Sequence, residues 1–152
     1  MSTYKRILAL VALNSDSATV AKRAVQLSRS YGATLALASV VDYTPGFESD
    51  HVPFLTPEEM RQAIVRDMRE RLQQMMTEVG AGGCEIIVGC GSEQEVVFEL
   101  TRSWRPDLVL VGSHARHGLE QNSERAAYDV LTVQSNRPSL AGRMINALAA
   151  AL

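Results

Sequence analysis

Apolar positions fall into short unbroken runs separated by longer stretches with helical spacing. Residues 7–13 carry no polar side chain, which predicts a strand covered on both faces. Asn14, Ser15, Asp16 and Ser17 then offer helix N-caps, and Val20, Ala24, Leu27 and Tyr31 follow at helical spacing up to a stop at Gly32. Residues 33–41 are a second run of strand length, completing a βαβ unit whose crossover is expected to be right-handed. Pro45, Gly46 and Pro53 mark residues 42–54 as a loop.

The next helix has a clear start. Thr56 can cap, Pro57 suits the first turn, and Glu59 can close a capping box. Met60, Ile64, Met68, Leu72, Met75 and Val79 form its apolar stripe, ended by Gly80, Gly82 and Gly83. A methionine-rich stripe can serve a partner, but core packing against a sheet is the simpler reading. Residues 85–89 predict a third strand, and Ser92 to Glu95 a second capping box. The helix it opens carries Val96, Val97, Leu100 and Trp104 on one face. Pro106 and Asp107 break that helix, residues 108–111 are a purely aliphatic fourth strand, and residues 129–133 a fifth. Apolar strands alternating with helices predict an α/β fold with an open, doubly wound parallel sheet.

Composition narrows the function. With 152 residues, 46% of them hydrophobic, the chain suffices for one domain with a substantial core. A formal net charge of −2 supplies no general attraction to nucleic acid or to an anionic membrane. The first apolar run is too short to span a bilayer and is followed by no small-residue cleavage site, so a cytoplasmic location is expected. Cys84 and Cys90 fit no metal or disulfide motif. On one strand they would share a face about 20 Å apart, too far to bridge.

In such a sheet, ligands bind beyond the carboxyl ends of the strands. The candidate loops are residues 12–16, 41–44, 89–92 and 112–118. In the last, Gly112 to Gly118 permits close backbone approach to a ligand, and exposed amides near a helix start can hold phosphate. An ordinary tight turn is the competing reading. His114 and His117 share a helical face but have no third ligand at motif spacing, and His51 is distant in the chain. Ser113 lacks a GxSxG context. Glu93 and Glu95 are already accounted for by capping. No catalytic constellation emerges.

Tyr4-Lys5-Arg6-Ile7-Leu8, the block from Pro106 to His114 (PDLVLVGSH) and Asp129-Val130-Leu131-Thr132-Val133 resemble hallmarks of the universal stress protein family, in the family's order over about residues 4–134. The resemblance implies a five-stranded parallel sheet in the order 3-2-1-4-5 with helices on both faces, of the adenine nucleotide alpha-hydrolase-like type. It implies a ligand cleft between the first and fourth strands and a homodimer through the fifth. One branch of the family binds ATP through an aspartate after the first strand and a Gly-x2-Gly-x9-Gly-Ser/Thr motif after the fourth. A second branch does not bind it.

This chain departs from the ATP-binding pattern. Ala12 stands at the aspartate position, Ala115 at the second glycine, and Arg125-Ala126 where Gly-Ser/Thr belongs. In an alternative alignment a stretch of roughly ten residues carrying that pair is absent, leaving room for under three helical turns before the fifth strand. What remains is a degenerate nucleotide cleft of Gly112, Ser113, His114 and Gly118, with Val41 and Asp42 across it.

The resulting expectation is a non-enzymatic, cytoplasmic stress-response module, acting by protein interaction or ligand sensing without a tightly bound cofactor. The alternatives are a stress protein that binds ATP or another adenine nucleotide with Mg, or a small α/β enzyme using the same cleft. The domain is expected over residues 1–134. In residues 135–152, Leu140, Met144, Leu148 and Ala151 predict a short amphipathic helix, docked on its own domain or its dimer mate, or serving as a partner-binding arm. The expected partners are a second copy, paired through the apolar edge strand Asp129–Val133, and an unidentified protein, with no nucleic acid and no membrane.

Overall fold

Period-two side-chain alternation along apolar strands yields two packing faces, and both are used. In the computed structural model, which describes residues 4–12, 17–42, 55–112 and 127–134, the strands are β1 (Arg6–Leu10), β2 (Thr34–Val41), β3 (Glu85–Cys90), β4 (Leu108–Gly112) and β5 (Asp129–Val133). All pair in parallel, in the order β3-β2-β1-β4-β5. Ile7 lies opposite both Leu35 and Leu108, and Leu10 opposite both Ala38 and Val111, so β1 is the centre of the sheet. The helices are α1 (Ser17–Tyr31), α2 (Pro57–Glu78) and α3 (Glu93–Trp104).

On one face, Ile7, Ala9, Leu37, Leu108 and Leu110 meet Val20, Ala21, Ala24 and Val25 of α1 and Leu72 and Met76 of α2. On the other, Leu8, Leu10, Ala36, Ala38, Val109 and Val111 meet Val97 and Leu100 of α3. Central strands covered on both sides explain why their sequences read as unbroken apolar runs. The methionine stripe of α2 is core packing, as expected, with one addition. Met68, Met75 and Val79 pack partly buried against the cluster, and Met76, outside the expected stripe, is buried to 1% exposure beside Leu72.

Local signals place the helix ends. Thr56 Oγ1 accepts from the Glu59 amide at 3.2 Å, and Ser92 Oγ from the Glu95 amide at 3.4 Å. Gly32 follows α1 with φ of +63°. Arg105 ends α3 in the left-handed region, φ 54°, because Pro106 disfavours helical backbone in the residue before it. The first strand is shorter than its apolar run. The ladder stops at Leu10, although the Val11 amide still donates to Ala38 O at 2.9 Å. Leu13 and the predicted C-terminal helix lie outside the described residues, as do His51 and His117.

α3 approaches β3 so closely that a Cβ on Gly89 would overlap Val96 Cγ1. Gly89→Ala is expected to cost about 1–3 kcal/mol, because a β-branched neighbour on a packed helix has little room to yield. Urea unfolding of Gly89→Ala, Val96→Ala and the double variant checks this. The double variant should recover part of the loss.

At the opposite edge of the sheet, a polar latch aligns the strand starts. The Asp107 carboxylate accepts from the Lys5 amide at 2.8 Å and the Arg6 amide at 3.0 Å. The Asp129 amide donates to Asp107 O at 3.0 Å, and Tyr4 Oη donates to the Asp129 carboxylate at 2.7 Å. Arg6 also lies over the Trp104 ring, 4.0 Å from its centroid. With this edge clamped, the carboxyl edge is left to the loops.

Candidate functional site

At the carboxyl edge β2 runs on to Val41 past the end of β1, whose Leu10 pairs with Ala38, and α3 begins there. Between them lies a cavity of about 150 Å3 walled by Leu10, Val40 and Val97, with Ala12, Asp42 and Glu93 also lining it. Ala12 is exposed, and it is the position that the resemblance matches to the aspartate of the ATP-binding branch. The described lining residues include two carboxylates and no cation. The volume falls below the ~300 Å3 at which small-molecule pockets usually begin.

Val41 and Asp42 both reach this edge, as the sequence indicated, but not in the same way. Asp42 is exposed and lines the cavity. Val41 is buried, and its carbonyl already accepts the Gly91 amide at 3.0 Å. One lone pair of that carbonyl remains for a ligand. Gly91 makes this turn with φ of +141°, a conformation open chiefly to glycine. Gly112 is buried at the end of β4, opposite Val133. Ser113, His114 and Gly118 lie outside the described residues, as do Ala115 and Arg125-Ala126, so the phosphate side of the expected cleft is not described.

Two lining residues escaped the sequence reading. Glu93 was accounted for by helix capping alone, yet it also lines the cavity. Ser39 is 3% exposed, and its hydroxyl has no hydrogen-bond partner among the described residues. A buried hydroxyl left in that state costs about 1–3 kcal/mol. The available signal was its place as a lone hydroxyl among aliphatic neighbours in β2, which an apolar-run reading passes over.

The cysteines sit as their spacing indicated. Both are free, and Cys84 packs against the α2 face of the sheet. Burial pushes the Cys84 thiol above its ordinary value, and its Sγ lies 3.3 Å from Leu35 O. Among the described residues, no three His, Cys, Asp or Glu side chains group closely enough to hold a metal ion, and no helix is long and apolar enough to cross a membrane.

The donor set bears on the adenine nucleotide that the fold implies. The apolar wall of Leu10, Val40 and Val97 fits a base, and the carboxylates of Asp42 and Glu93 can accept from an amine or sugar hydroxyls. Those same carboxylates repel polyphosphate. On the described side, the lining offers contacts to a nucleoside and none of the cations a triphosphate would need.

Comparison with known proteins agrees with the fold and the residues that build it. The model of the universal stress protein family matches residues 3–123. Universal stress protein A homolog 2 of Coxiella burnetii is 28% identical over 122 residues, covering 79% of this chain and 82% of its own. A universal stress protein crystallised in complex with cAMP superposes with a TM-score of 0.60 at 20% identity, covering 88% of this chain and 98% of that one. An AMP-bound family protein from Arabidopsis thaliana superposes with a TM-score of 0.59 at 17% identity, covering 90% and 97%. At such identities the superpositions establish the fold alone. With the sheet order, the double-sided core and a family match over most of its length, this chain belongs to the universal stress protein family.

Proposed function

We propose that this universal stress protein is a non-enzymatic, cytoplasmic module that acts by ligand sensing or protein interaction without binding ATP tightly. The observation that carries this reading is the cavity at Ala12, flanked by Asp42 and Glu93 and apolar on its other walls. A triphosphate requires converging amides, hydroxyls and cations, whereas this lining opposes negative charge. A ligand-observed screen of adenosine, AMP, cAMP, ADP and ATP tests it. Affinity should not rise with the number of phosphates, and ATP ranking far above adenosine would refute the reading.

The alternative of an adenine nucleotide sensor draws support from the structural relatives crystallised with cAMP and with AMP, both monophosphates. It shares the nucleoside-end contacts of the first reading. A Val97→Trp variant, which fills the apolar wall, should abolish binding of either ligand if they use this cavity.

We further propose a homodimer through β5. This strand pairs with β4 alone, leaving its other edge open among the described residues, and Val130 is 40% exposed. Edge-to-edge pairing with a second copy satisfies both chains symmetrically. Light scattering at micromolar concentrations should give the dimer mass, and Val130→Pro should lower it, because the Asp129 amide is turned to β4 and the next amide along the strand faces the open edge. A monomer in the native protein would refute this assembly.

A further inference from the structure

The first half of α2 and the end of β3 line a second cavity, open to solvent. Arg61, Arg66 and Arg69 line it, with Glu58, Val65 and Cys90, in a volume of about 390 Å3. That lies within the ~300–1,000 Å3 usual for small-molecule sites. Among the described residues it shares no lining with the cavity at Ala12. Its charge is unbalanced. Glu58 Oε1 accepts from Arg61 at 2.6 Å and from Gln62 Nε2 at 3.3 Å, so one guanidinium is neutralised inside the chain. Asp67, farther along the helix, pairs with Arg71 at 3.1 Å. Arg66 and Arg69 make no hydrogen bond or ion pair among the described residues. Three positions apart on a helix, they are surface neighbours, about 5–6 Å between Cβ atoms.

We propose that this cavity is a ligand site for a small phosphomonoester. Two guanidinium forks that line one cavity, unpaired among the described residues, match the charge and the donor geometry of a single phosphate dianion, each fork giving two parallel hydrogen bonds to its oxygens. The Val65 side chain and the Cys90 thiol supply the less polar wall for the organic part. A solvated helix face would explain exposed arginines, but not their gathering, unpaired among the described residues, around a cavity with a less polar wall. The site is separate from the nucleoside cleft and does not depend on the function proposed for it.

The test uses the full chain at low ionic strength, with glycerol 3-phosphate as the probe and glycerol, inorganic phosphate and succinate as controls. Calorimetry reads affinity. Iodoacetamide labelling followed by peptide mass mapping reads access to Cys90, with Cys84, whose buried thiol holds its proton to higher pH, as the internal reference. Glycerol 3-phosphate should bind, slow alkylation of Cys90 several-fold and leave Cys84 unchanged. Arg66→Gln/Arg69→Gln should weaken binding about tenfold or more with the melting temperature held, because both side chains are exposed. Absence of binding at millimolar probe overturns the proposal, as does equal affinity in the double variant. Equal binding of succinate would overturn the assignment to phosphate, and equal binding of inorganic phosphate would overturn the role of the apolar wall.

Discussion

Asp107→Ala should destabilise the fold by about 2–4 kcal/mol, the largest loss expected from any single polar side chain at the amino edge. Its carboxylate accepts two backbone amides of β1, at Lys5 and Arg6. Hydrogen bonds from a donor to a charged acceptor contribute about 1.5–3 kcal/mol each, and partial exposure of this one to solvent discounts the sum. The variant also loses the side chain that aligns β1 with β4, where the Asp107 amide still donates to Arg6 O at 2.9 Å. Asp107→Asn keeps one acceptor oxygen and should recover about half of the loss. Chemical denaturation of the two variants beside the native chain measures both. A loss under about 0.5 kcal/mol for Asp107→Ala, the range of ordinary surface substitutions, would show that water replaces the latch at no cost.

Pro106-Asp107 was legible in the sequence as a helix break, but its latch was not. Breaking α3 is a local matter of proline geometry, whereas the latch joins residues about a hundred positions apart. The same division runs through the molecule. Strands, helix starts and the capping roles of Thr56 and Ser92 follow from neighbours in the chain, and the structure places them within a few residues of expectation. The sheet order rested on family resemblance rather than on hydrophobic pattern, since apolar runs do not say which strand lies beside which. Met76 was missed because steps of three and of four both keep a residue on the helix face. Packing against the sheet uses both Met75 and Met76, burying Met76 the deeper.

The candidate site divides likewise. Ala12 and Asp42 were located by their places after strands. The cavity role of Glu93 needed α3 to start beside the ends of β1 and β2, which no local pattern encodes. Ser39 reads as a tolerated interruption of an apolar strand until its burial without a partner is seen. The arginines of α2 look like an ordinary polar helix face, and become a cavity wall only where β3 brings Cys90 against them.

The second large effect is the discrimination against ATP. Relative to the ATP-binding branch, the chain lacks the aspartate at Ala12 and, by sequence, the Gly-Ser/Thr pair. Each lost hydrogen bond to a charged group removes about 1.5–3 kcal/mol, so two of them weaken binding by two or more powers of ten. Ala12→Asp restores only the acceptor at the nucleoside end. It also adds a third carboxylate beside Asp42 and Glu93, so it should not recover tight ATP binding. If Ala12→Asp alone did so, the phosphate side would have to be intact and the degeneracy of the motif would be misread.

Calorimetry of the native chain with ATP and magnesium, beside adenosine and AMP, tests the central claim most directly. The predicted result is weak or absent ATP binding, with adenosine and AMP bound at least as well as the triphosphate. A low-micromolar dissociation constant for ATP, abolished by a bulky replacement at Gly112, would contradict it.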